Sequence, residues 1–200
     1  MTDDELTVLL RYLQASRAAL LWKLDGLSER DARLPLTPTG TNLLGLVKHA
    51  TGVEIGYFGD VFGRPMGLAH PVNDEDAEDN ADMWATADEP LAEIVAAYRR
   101  VWAIADANIR ELGLDAQGFV AWWPAERNPV SMRQVVVHVT YDLARHAGHA
   151  DIVRELIDGS AGLRAENSNL PGRDATWWAD YVERLQGLAD AFGPDGSASR

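Results

Sequence analysis

Three observations predict an all-α protein built as a four-helix bundle. Four long stretches carry apolar residues every three or four positions, as one buried face of a helix requires. The segments between them are rich in glycine, proline and small polar residues. The chain has 200 residues, 46% of them hydrophobic, enough for one domain to bury its own core.

The first helix is expected from Asp3 to about Asp25, with Leu6, Leu9, Leu10, Leu13, Leu20, Leu21 and Leu24 on one side. "GLSERDARLPLTPTGTN" breaks the pattern. A second helix, about Leu43 to Phe62, presents Leu43, Leu46, Val47, Ala50, Val53 and Tyr57 inward. The stretch that follows is long, acidic and proline-bearing, and reads as a loop or flap. A third helix, Pro90 to about Leu112, starts after acidic residues that suit the positive end of a helix. The segment from Leu114 to Met132 is compatible with a short strand or hairpin anchored by Trp122 and Trp123. A fourth helix runs from Ser131, a good N-cap, to Ile157, with Gly159 placed to stop it. "DATWWADYVERLQGLADAF" is a further short amphipathic helix. The domain is therefore drawn over residues 1–192, with 193–200 as a disordered tail. No internal repeat is visible.

Composition narrows the chemistry. Without cysteine there is no thiolate site, so any metal must be held by nitrogen and oxygen. The net charge of −13 opposes a nucleic-acid partner, whose phosphates need a basic face. No apolar run approaches the roughly 20 residues of a membrane span, and the acidic start is unlike a secretion signal, so a cytoplasmic location is expected. A small-molecule substrate fits best, and a homodimer is compatible with the sequence.

"HVTYDLARHAGHAD", His138 to Asp151, holds three of the five histidines. At about 100° per residue, His138, Asp142, His146 and His149 fall near 0°, 40°, 80° and 20° on the fourth helix, so they share a face. Val135 and Val153 lie on that face too, which is expected to point into the bundle. Burying so many polar groups unpaired would cost several kcal/mol, and a divalent cation is a common partner for them. Asp142 and His146 are one turn apart, a spacing that brings carboxylate and imidazole to one ion. His49, inward on the second helix between Leu46 and Val53, is the donor expected from elsewhere. His149 has three candidate roles: ligand, orienting partner of a ligand, or base facing substrate. His138 suits packing better than ligation. His70, before a proline in the acidic loop, and the acidic run Asp74 to Asp82 read as solvated. Imidazole-rich ligation favours zinc and then nickel, and a carboxylate also admits iron or manganese.

"LLWKLDGLSERDAR", "TNLLGLVKHATGVEIGYFG" and "YDLARHAGHADIVRELIDG" resemble the DinB-like superfamily, in particular its actinobacterial branch akin to mycothiol-dependent maleylpyruvate isomerase. The resemblance spans about Leu6 to Gly159. It implies an up-down-down-up bundle and a divalent metal on three side chains, which match His49, Asp142 and His146 here. Aspartate stands where many members have histidine and the isomerase branch has glutamate. His149 stands where many have glutamine. By the resemblance, the metal activates a low-molecular-weight thiol such as mycothiol, for a transferase or an isomerase. A metal-dependent hydrolase and a non-catalytic stress protein that binds metal or a small molecule are the alternatives.

Overall fold

A computed structural model describes residues 4–68 and 78–192, so His70 and the acidic run up to Ala77 lie outside the described residues. The fold is all-α. Its helices are α1 (Glu5–Trp22), α2 (Glu29–Ala32), α3 (Leu43–Phe58), α4 (Leu91–Leu112), α5 (Met132–Asp158) and α6 (Ala175–Asp190). The only sheet among the described residues is the short antiparallel pair β1 (Gln117–Gly118) and β2 (Val130–Ser131), within the segment expected to hold a hairpin.

Each long helix starts where a side chain can satisfy its free N–H groups. Asp4 accepts from Thr7 N–H, Asn42 from Gly45 N–H and Ser131 from Gln134 N–H. Pro90 has no such side chain, and Glu29 of α2 substitutes, accepting from Leu91 N–H at 2.9 Å. The sequence pattern missed α2, because four residues are too few to show a period. The second predicted helix ends earlier than expected, at Phe58. Gly59 breaks it, and Asp60–Phe62 continue only as a 3-10 turn. Gly159 stops α5 in the left-handed conformation at φ 77°, as expected.

The chain forms two compact units, Met1–Ser168 and Asn169–Arg200. In the first, α1 packs on α5, and α3 packs on both α4 and α5. Side-chain bonds fix the directions. Glu5 meets Arg133 near the starts of α1 and α5, and Lys23 meets Asp151 near their ends, so these two run parallel. Glu89 meets Lys48 before Asn108 meets Phe58, so α3 and α4 are parallel too. His49 faces His146, while Tyr57, two turns further along α3, faces His138, two turns earlier on α5. Those helices are therefore antiparallel. The core between them holds Leu13, Leu20, Leu43, Val47, Tyr98, Ile109, Val139 and Leu143, all fully buried.

A charged network is sealed in the same core. The Arg17 guanidinium forks onto Glu54, through Nε at 2.9 Å and a second, shorter bond, and its remaining nitrogen donates to Asp106 at 2.7 Å. The Tyr98 hydroxyl donates to Glu54 at 3.0 Å, and Arg17 lies over the Trp102 ring. Arg17, Glu54 and Tyr98 are fully buried. Burial pushes the Glu54 carboxyl up from its ordinary value, against the pull of Arg17.

The second unit is built on α6. Asp174 caps it, Trp177 stacks on Tyr181 at 5.2 Å, and no α6 residue is buried.

Candidate metal centre

The buried stripe of α5 comprises Val135, Val139, Leu143, Ala150 and Val153. Asp142 and His146 lie at the edge of that stripe and are half-buried, and His149, further out, is exposed. The expected inward face is thus a border between core and solvent. On the wheel of α3, His49 likewise sits off the line of Leu43, Val47, Ala50 and Glu54, and is half-buried.

These borders face each other. One donor atom from each of His49, Asp142 and His146 lies within 4.8 Å of the other two. The two imidazoles meet edge to face at 4.7 Å between centroids. Asp142 Oδ2 is 3.6 Å from His146 Nε2, too far for a hydrogen bond. It is close to the edge of a tetrahedron around an ion with bonds of about 2.0–2.2 Å, roughly 3.4 Å. Asp142 Oδ2 and His146 Nδ1 are buried without a hydrogen-bond partner. An orphaned buried carboxylate oxygen is rare and costly, and a cation seated between Asp142 Oδ2 and His146 Nε2 would satisfy it. Burial also pushes the His146 imidazole below its ordinary value, opposed by Asp142 and reinforced by His49 and His149. The neutral imidazole so favoured is the ligating form.

His149 stays outside the group of three. Its ring lies 5.6 Å from that of His146 and is open to solvent. His138 is committed elsewhere. The Tyr57 hydroxyl oxygen accepts from the indole N–H groups of Trp122 at 3.3 Å and Trp123 at 3.1 Å, so its own proton goes to His138 Nε2 at 3.1 Å. This requires neutral His138 with hydrogen on Nδ1. Burial lowers its pKa in agreement, with Asp142 opposing. A folded-state pKa below the unfolded one means stability that is present above pH 6.5 and lost as pH falls through the folded value. Histidine NMR should therefore give His138 a midpoint below 6.5, moving upward in Tyr57→Phe. Of the two tryptophans expected as anchors, Trp123 packs half-buried against the core and Trp122 departs from expectation. Trp122 is 55% exposed, held by its N–H rather than buried as an anchor.

One contact to the grouped residues was not visible in the sequence. Asp82, the last carboxylate of the run read as solvated, has its Oδ2 2.6 Å from His49 Nδ1. A carboxylate in a charged run carries no periodic signal, so nothing separated Asp82 from its neighbours.

A family model described as Mycothiol-S-transferase matches residues 8–159, from the first turn of α1 to the glycine that stops α5. No curated protein matches the chain. The match covers most of the chain and contains all three grouped side chains, and by it the chain belongs to the mycothiol-S-transferase family, a DinB-like family.

Proposed function

We propose that the protein is a metal-dependent S-transferase, with a divalent cation, zinc before nickel, iron or manganese, held by His49, Asp142 and His146, and mycothiol as the thiol substrate. The observation that carries the reading is the buried, unpartnered Oδ2 of Asp142, 3.6 Å from His146 Nε2, converging with His49. The family description supports transfer over isomerisation. A cation with three protein ligands keeps open positions, and there it supplies Lewis acidity that makes a thiol more acidic.

The remaining work falls to the chain. His49 and His146 present neutral nitrogens, and the Asp142 carboxylate offsets part of the cation's charge. His149, exposed beside His146, accepts the proton as the thiol S–H breaks. The sulfur then forms the new bond to the electrophilic carbon while the acceptor's leaving group departs with the bonding pair. His149→Gln should lower kcat by about 100-fold, the small end of general-base effects, without lowering metal content.

The test is an assay of metal-loaded protein with mycothiol and a panel of electrophiles. Thiol-dependent product formation is expected. Turnover in water without thiol would replace the transferase by a hydrolase. Metal uptake with neither activity would leave a binding protein.

A further inference from the structure

The segment before α4 is fastened to α3 at positions the transferase reading leaves unused. Asn42 Nδ2 donates to the Met83 carbonyl at 3.1 Å. One turn on, Gly45 has no side chain, and an added Cβ would lie 1.8 Å from the same oxygen. A further turn on, Lys48 Nζ donates to the Trp84 carbonyl at 3.1 Å and to Glu89 at 2.9 Å. Residues 42, 45, 48 and 49 thus form a stripe along α3 against which the turn Ala81–Met83 is seated. The product of that seating is one contact, the Asp82 carboxylate on His49 Nδ1, with both side chains mostly shielded from solvent.

We propose that Asp82 is a positioning residue of the metal centre: its carboxylate accepts the Nδ1 hydrogen of His49 and so commits Nε2 to the cation. A carboxylate can only accept here, so Nδ1 must carry the hydrogen and the lone pair must sit on Nε2. The ring is then held in one tautomer and one orientation before any ion arrives, and the bond to an anion raises the donor strength of the opposite nitrogen. Gly45 serves the same end, because the Met83 carbonyl can approach α3 closely only where no Cβ intervenes.

The inference rests on the cation site proposed above, and its test separates the two. Histidine-15N spectra of the full chain, without metal and with zinc, report which nitrogen of His49 carries hydrogen. A competing chelator gives zinc affinity for wild type, Asp82→Asn, Asp82→Ala and Gly45→Ala. Wild type should show hydrogen on His49 Nδ1 with and without zinc. Asp82→Ala should mix the two tautomers in the metal-free chain and weaken zinc binding by about 10- to 100-fold, with Asp82→Asn between it and wild type. Gly45→Ala should reproduce the tautomer mixing, although it touches neither His49 nor the cation. The signals of His138, held two turns away by Tyr57, should not move in any variant, as they would if the fold had loosened. If wild type takes up no zinc, the cation site fails. If wild type binds zinc and Asp82→Ala keeps the single tautomer and binds within about tenfold of it, the site stands and the role given to Asp82 is overturned.

Discussion

A His146→Ala protein is expected to fold and to leave purification without bound metal, where wild type carries about one divalent ion per chain. With three protein ligands, loss of one removes a third of the protein's hold on the ion, a greater effect than the 10- to 100-fold that follows loss of a group merely orienting a ligand. The side chain is half-buried at the border of the α5 stripe, so its removal opens little core. Asp142→Asn should also exceed about tenfold, because an anionic oxygen, buried and without a donor, is exchanged for a poorer neutral one. Elemental analysis and chelator titration on the same preparations check both. A His146→Ala protein with wild-type metal content would remove the basis of the proposed function. Transferase activity should fall with occupancy, to background in His146→Ala.

The largest stability effect is expected at a site with no part in the chemistry. Arg17→Met should cost about 3–5 kcal/mol in urea unfolding, because it strands the Glu54 carboxylate in the core with only the Tyr98 hydroxyl as partner. The double variant Arg17→Met, Glu54→Leu should recover a substantial part of that loss, since a sealed ion pair offsets its own desolvation and little more. The pH dependence has a defined sign. Burial already pushes the Glu54 carboxyl above its ordinary 4.5, and removing Arg17 deletes the main opposing force. A raised folded-state value means protons held on folding, so the penalty in Arg17→Met is smallest below pH 4.5 and grows as pH rises through the raised value. A penalty independent of pH would mean that Glu54 stays ionised without Arg17.

These two predictions draw on parts of the chain that were unequally legible. The four long helices were readable because a buried face repeats at 3.6 residues, and both ends of α5 were marked by residues with single uses, Ser131 and Gly159. The grouping of His49, Asp142 and His146 was readable because Asp142 and His146 lie one turn apart and His49 interrupts an apolar stretch. Arg17 and Glu54 were also in view. Each falls in the middle of its helix's apolar stripe, Arg17 among Leu13, Leu20 and Leu24, and Glu54 in line with Leu43, Val47 and Ala50, yet pairing them requires knowing that α1 and α3 meet. Asp82 and Tyr57 were beyond reach for another reason. Their roles come from contacts made across 33 and 81 residues, through a turn and a hydroxyl that no local pattern specifies. The deeper burial expected for the histidine face overshot, because helical angles rank positions around an axis without saying where solvent begins.

The antiparallel pair α3 and α5 is bridged twice, by His49 with His146 and, two turns away, by Tyr57 with His138. The second rung, about 12 Å along the axis from the first, is braced by two indoles and does not depend on any ion. The gap between the two backbones that carry His49 and His146 is thereby gauged in advance, like the jaws of a caliper locked at one setting. For the proposed cation site this resists accommodation of an ion of the wrong radius by sliding one helix along the other, so the scaffold would contribute to discrimination among divalent ions alongside the donor atoms.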